Sequence, residues 1–268
     1  MAFLFRDDKS FDMGRRLTGF DRYRQLMSLC AFHWIKINFI TIAGALPLAA
    51  GIAWALLSSS VLVLIPASIL GGMIFGPFLA GMYDAVMRGL RDMLGNWWMH
   101  YKKAWRQNWR GSLLPGALTG LIMGILVFML YIMWNANATP GYGTIAMYVV
   151  CIFFTLLVGN LYWPQLVLFE QTNFIRMKNV LLFMIKHSKR VLFVTLLQLA
   201  YVAVYVLFAP WTVLLVPITG FWFIIFVAQY KLYDFMTEDY RIEEQFRPIE
   251  GDPWAEDRFE TGDEGDEQ

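Results

Sequence analysis

Six stretches of this chain run for 18 to 25 residues with almost no charge: 34–56, 61–83, 113–134, 145–169, 191–208 and 211–230. Lys36 is the one ionised side chain inside them. A helix rises about 1.5 Å per residue, so roughly 20 apolar residues cross the roughly 30 Å hydrocarbon layer of a bilayer. The blocks lack the ten-residue alternation of a membrane barrel strand. They restrict the chain to an all-α fold: a polytopic membrane helical bundle of about six transmembrane helices in three hairpins. Composition agrees, with 58% hydrophobic and only 16% charged residues and a mean hydropathy of +0.48, where soluble domains carry about a quarter charged residues.

The connections divide into two kinds. Ser58-Ser59-Ser60, the turn-forming run 135–141 and Ala209-Pro210 carry no charge. The others carry every basic residue in the chain. Seven precede or enter the first span (Arg6, Lys9, Arg15, Arg16, Arg22, Arg24, Lys36), and six lie between spans two and three (Arg88, Arg91, Lys102, Lys103, Arg106, Arg110). Five lie between spans four and five (Arg176, Lys178, Lys186, Lys189, Arg190), and four follow span six (Lys231, Arg241, Arg247, Arg258). Basic residues concentrate in cytoplasmic loops, so both ends of the chain are expected in the cytoplasm. Some thirty polar and basic residues before the first block exceed an ordinary signal-peptide n-region, so no cleaved leader is expected. The first hairpin has the shortest turn, and a re-entrant hairpin is an alternative there. Prolines inside the blocks (Pro47, Pro66, Pro77, Pro164, Pro217) are compatible with spanning helices, whose neighbours satisfy the freed carbonyls.

Three regions follow: a cytoplasmic basic N-terminal segment (1–33), a transmembrane domain (34–233) and an acidic, disordered cytoplasmic tail (234–268). The tail holds fourteen acids against Arg241, Arg247 and Arg258, and this composition cannot bury enough surface to fold alone. Phe246-Arg247-Pro248 and Pro253-Trp254 are candidate docking motifs within it. Two basic connections read as amphipathic interfacial helices. At 100° per residue, Leu90, Leu94, Trp97, Trp98, Tyr101, Trp105 and Trp109 share one arc beside Lys102, Lys103, Arg106 and Arg110. Trp98, Tyr101, Lys102, Trp105 and Arg106 are the residues assigned to the headgroup boundary, where indoles and cations meet anionic lipid. Gly95 is a point at which that helix can break. The second connection, 173–190, places Phe174, Met177, Leu181 and Met184 or Ile185 on one face.

Catalytic signals are missing. There is no GxxxxGK[ST], HExxH or GxSxG motif, and His33, His100 and His187 lie far apart without ligand spacing. Cys30 and Cys151 form no CxxC pair and read as packing residues. No enzyme, cofactor, metal or nucleic-acid partner is expected, and the bilayer is the expected medium. The polar residues near the core are uncharged: Asn38, Thr41, Ser68, Asn160, Gln165, Thr195, Gln198, Thr219 and Gln229. Buried amides of this kind commonly join helices, with about 1 kcal/mol per bond. Asn160, Gln165 and Gln198 are the candidates for lining a polar cavity instead.

The most informative local feature is Gly71-Gly72-x-x-x-Gly76-Pro77-x-x-Ala80-Gly81 in span two, followed by Tyr83. Gly72, Gly76 and Gly81 let another helix approach closely, and Pro77 favours a bend. The pattern G-P-x-x-A-G-x-Y, the following Arg88 and Arg91, Lys36-Ile37-Asn38, and Asn179-Val-Leu-Leu-x-x-x-x-His187 together resemble the YesL-like family of bacterial integral membrane proteins. The resemblance covers roughly residues 30–232. Two features depart from the family pattern: apolar chain from 48 to 71 adds a crossing to the usual five, and the acidic tail is additional. The resemblance implies a cell-membrane protein of a family found mainly in Gram-positive bacteria and carrying no established activity. It also implies genes near carbohydrate-uptake systems and two-component sensors, hence an accessory or regulatory role beside a transporter or sensor. A transporter or channel for a small polar solute such as a sugar is the alternative.

Overall fold

The computed structural model of the chain describes residues 19–93, 95–135, 141–209 and 211–242. Arg6, Lys9, Arg15, Arg16, Leu94, the turn residues 136–140, Pro210 and the tail from 243 with its two candidate motifs lie outside the described residues. Those described form eight α-helices and one 3-10 turn, with no strand among them: α1 (Gly19–Leu57), α2 (Val61–Leu90), α3 (Trp97–Asn135), α4 (Tyr142–Leu168), α5 (Asn173–Lys186), α6 (Ser188–Leu207), the 3-10 turn (Trp211–Leu215), α7 (Val216–Thr219) and α8 (Phe221–Tyr240). Five of the helices are long and apolar enough to cross a membrane. The segment from Trp211 to Tyr240 makes a sixth if its two pieces, bent by 60°, are one span. The chain is a multi-pass, all-α membrane protein.

Local chemistry sets the helix ends. Between α1 and α2 the Ser60 N–H donates to the Ala55 carbonyl at 3.1 Å, and Ser59 takes a left-handed φ of 49° to reverse the chain. Asn96 caps α3, its side-chain oxygen accepting from the N–H groups of Trp98 and Met99 at 3.2 and 3.3 Å. Thr172 caps α5 in the same way through the Ile175 N–H.

The second helix is the hub, packing against α1, α3, α4 and α8. Its glycines explain the closest of these approaches. A methyl group on Gly72 would lie 2.9 Å from the Gly120 Cα and nearer still to the Gly116 carbonyl. One on Gly76 would lie 3.1 Å from the Gly116 Cα and nearer still to the Ser112 carbonyl. The backbones of α2 and α3 therefore touch, which is how small residues join helices where no hydrophobic driving force exists between them. Aromatic rings fill the wider junctions. Trp34 of α1 sits 4.7 Å from Phe226 and 5.7 Å from Trp222 of α8, and its indole N–H donates to the Ala85 carbonyl of α2 at 3.2 Å. Tyr83 stacks on Trp163 of α4 at 6.0 Å.

Four boundaries differ from the sequence expectation. The N-terminal segment is not separate from span one, because α1 is helical from Gly19 onward. The aromatic connector before span three is no separate surface helix. It is the first third of α3, a single helix of 39 residues running through Gly111 and Pro115. Its amphipathic arc does not continue back to Leu90, because α2 ends there and the chain turns at Asp92, with φ 62°. Span six is broken, because Gly220 leaves the helical path with ψ −112°. Finally, the charged segment expected to be disordered from 234 begins as helix, since α8 runs on to Tyr240. Pro66 and Pro77 leave α2 one assigned helix across its 30 residues.

Candidate functional site

Two polar constructions stand out inside this apolar bundle, and both involve side chains that the sequence presents only as scattered amides. The first joins α4, α6 and α8. The Asn160 amide donates to the Gln198 oxygen at 2.6 Å, and Gln198 donates back to the Asn160 oxygen at 2.9 Å. Gln198 also donates to the Ile224 carbonyl at 3.2 Å, and Gln229 donates to the Asn160 carbonyl at 3.0 Å. All three amides are buried. A reciprocal pair of this kind consumes the donors and acceptors a solute would need, so Asn160 and Gln198 lock helices together. Gln165 is not part of the pair. Its side chain is fully buried, and both its amide atoms lack a hydrogen-bond partner among the described residues.

The second construction is a brace at the helix break. Where the chain bends at Gly220, the Pro217 carbonyl and the Phe221 N–H lose each other as helical partners, while the Val216 carbonyl keeps the Gly220 N–H at 2.9 Å. Asn38 of α1 takes them up: its amide nitrogen donates to the carbonyls of Val216 and Pro217 at 2.9 Å each, and its oxygen accepts the Phe221 N–H at 2.9 Å. Tyr201 of α6 donates to the Thr219 carbonyl at 2.7 Å, and the Tyr205 hydroxyl lies 2.6 Å from the Thr219 hydroxyl. Non-helical backbone inside a membrane bundle persists only where protein or water satisfies it. Here protein does so. The sequence offered one signal of the break, the Pro217-x-x-Gly220 spacing in span six, and no signal that Asn38 is its partner.

The charged residues gather with the connections 91–96, 169–172 and 187 at one end of the bundle, although α3 carries Arg106 and Arg110 up its length. One terminal nitrogen of Arg22 lies 2.6 and 2.7 Å from the two Asp92 oxygens and 3.3 Å from the Leu90 carbonyl. Arg88 pairs with Asp84 one turn earlier at 2.7 Å. Burial pulls the Arg91 guanidinium below its ordinary value, while the Asp84 carboxylate opposes that effect. Arg176, expected as a loop cation, is buried and donates to Asn173, the Gln171 carbonyl and the Tyr162 hydroxyl at 2.8, 2.9 and 3.3 Å. It turns the Arg176–Val180–Phe183 face of α5 inward, leaving Phe174, Leu181 and Ile185 exposed on the other side. Asp239, near the end of α8, accepts from Lys186 at 2.5 Å and lies 2.9 Å from the His187 ring.

The interfacial assignment divides. Trp98, Lys102 and Arg106 are exposed and Trp105 is half-buried, with the Lys102 ammonium 5.7 Å from the Trp98 ring. Tyr101 does not face outward. Its ring lies across Gly81, where a methyl group would come within 2.5 Å of it. Gly72, Gly76 and Gly81 therefore all serve packing, and Pro77 is buried beside them. The matching glycines of α3, Gly116, Gly120 and Gly124, went unrecognised in the sequence despite their regular spacing of four. His33 and His100, 67 positions apart, line one cleft, a pairing that no sequence spacing reveals. No group of three or more metal-ligating side chains occurs among the described residues.

The class that fold and site define is a polytopic membrane bundle held by glycine seams and mutually satisfied amides. Compared with family models, curated proteins and solved structures, the chain matches none.

Proposed function

We propose that this is a non-enzymatic protein of the bacterial cell membrane, with its charged end in the cytoplasm, that acts as an accessory or regulatory subunit of a transport or sensing system. The observation that carries the reading is how the polar groups are used. Asn160 and Gln198 are bonded to each other, and Asn38 is fully engaged at the break. Meanwhile the first half of α4, the end of α6 and the 3-10 turn expose Tyr142, Phe154, Leu207 and Trp211 over most of their surface. Large apolar faces mark contact with lipid or with another protein's helices. The resemblance to YesL-like proteins supports carbohydrate uptake as the setting.

Purification of the tagged full chain in a mild detergent tests this reading. Co-elution of a transporter or sensor subunit in fixed proportion is the expected result. Recovery of the protein alone, under conditions that keep known membrane complexes together, counts against it. Orientation is tested by single cysteines at Ser59 and Lys103 in a cysteine-free background. The first is expected to react with an impermeant thiol reagent in intact cells, and the second only after lysis.

One feature favours solute transport as the second reading. Discontinuous helices build the binding sites of many transporters, and the Trp211–Tyr240 segment is discontinuous. Uptake into proteoliposomes that is lost in Asn38→Leu would support it, and absence of flux across a broad panel of sugars would remove it.

A further inference from the structure

At the charged end, α1, the last two turns of α2 and the start of α3 surround a small cleft that opens to the outside. Trp34, Ile37 and Trp97 give it an apolar wall, and His33, Asp84, Arg88 and His100 supply its polar groups. Asp84 is already engaged by the Nε of Arg88 at 2.7 Å. The two terminal guanidinium nitrogens of Arg88 donate to no acceptor among the described residues, and the side chain is 24% exposed. Lys36 adds a second cation at the rim, its ammonium 5.4 Å from the Trp97 ring and 4.3 Å from Phe32. His33 and His100 stand on the sides of the cleft.

We propose that this cleft binds a phosphate group carried on an apolar molecule, the headgroup of an acidic phospholipid. The paired donors of Arg88 match two phosphate oxygens, with Lys36 and a histidine N–H at the sides. The wall of Trp34, Ile37 and Trp97 receives the glycerol and the first methylenes. The carboxylate in the cleft, Asp84, is paired with Arg88, and the positive charge in excess comes from Lys36 and from Arg91, which lies within the field of Asp84. Basic pockets between membrane helices take anionic headgroups for the same electrostatic reason. The inference does not depend on the proposed accessory role.

Thermal melting of the full chain in a neutral maltoside detergent tests it, with short-chain phosphatidic acid, phosphatidylglycerol, phosphatidylcholine and glycerol 3-phosphate as probes. The two acidic lipids are expected to raise Tm saturably, and phosphatidylcholine is not. An equal shift with glycerol 3-phosphate keeps the phosphate site and makes a soluble ester its source. Arg88→Gln is expected to weaken the response by about tenfold or more, the worth of a hydrogen bond to a charged group. Lys36→Gln, which disturbs only the rim and so bears less on folding, is expected to weaken it by about fivefold. Arg106→Gln, on the exposed face of α3, should leave it unchanged. Equal stabilisation by phosphatidylcholine would overturn the proposal, as would a response lost in Arg106→Gln and intact in Arg88→Gln and Lys36→Gln.

Discussion

Asn38 has three hydrogen bonds to backbone groups at the break, two of which, the Pro217 carbonyl and the Phe221 N–H, no helix satisfies. Asn38→Ala therefore leaves the part-buried Phe221 N–H and Pro217 carbonyl unpaired, while the Val216 carbonyl keeps the Gly220 N–H, and each unmet group costs about 1–3 kcal/mol. The expected outcome is a destabilisation of that order, with faster amide exchange confined at first to residues 216–221. Loss of stability without that local exchange would show that the brace is not what holds the break. Asn160 and Gln198 call for a different measurement, because each also serves other bonds. In a double-mutant cycle of Asn160→Leu and Gln198→Leu, the coupling should be about 1 kcal/mol, the scale measured for amide pairs inside membrane bundles. Additive single effects would show that the reciprocal pair contributes nothing of its own. These amides were recognisable in the sequence as polar residues in apolar blocks. Their partners were not, because 38 and about 180 positions separate the bonded groups.

Among the elements, the α2–α3 seam depends most on residue size. A methyl on Gly116 would lie 2.5 Å from the Gly72 carbonyl oxygen, a backbone atom with no means of yielding. Gly116→Leu is expected to force the helices apart at a cost above the roughly 1–3 kcal/mol of ordinary overpacking, read as a collapse of Tm in detergent. Gly159→Ala is the contrasting case. Its nearest neighbour would be the Trp163 ring at 3.7 Å, an ordinary contact, so the better helix propensity should stabilise the protein by up to about 1 kcal/mol. Apolar block length made the number of long helices legible in the sequence, but it could not locate their ends. Lys102, Arg106 and Arg110 mark where α3 becomes compatible with lipid, while its backbone hydrogen bonding continues unbroken on both sides of that point. Hydropathy is likewise uniform through Trp211–Tyr230, so the break at Gly220 leaves no trace there and shows only in the Pro217-x-x-Gly220 spacing.

At the scale of the whole molecule, the far end of α8, beyond the apolar stretch that closes at Tyr230, is fastened to the α5–α6 junction by Asp239, Lys186 and His187. Burial raises the Asp239 carboxyl, but bonds from Lys186 and His187 outweigh it and hold the group below its ordinary value. Its contribution is therefore present above the unfolded carboxylate value of about 4 and is lost as pH falls through the folded one. The Lys186 ammonium is raised by its bond to Asp239, so its contribution is present below about 10.4 and lost as pH rises through the folded value. Hydrogen exchange across 231–240 should accordingly stay slow between those limits and quicken outside them. In Asp239→Asn it should become insensitive to acid, and an unchanged acid response there would refute the assignment. The lengths of α1 and α3 have one more consequence. At 39 residues each, they extend about 58 Å, nearly twice the hydrocarbon thickness. The surplus of α1 lies at the charged end, where it packs on the end of α2 and Arg22, in its first turn, closes on Asp92 just beyond that helix. Any torque applied to the charged end of α3 would travel along that one helix into the glycine seam it forms with α2.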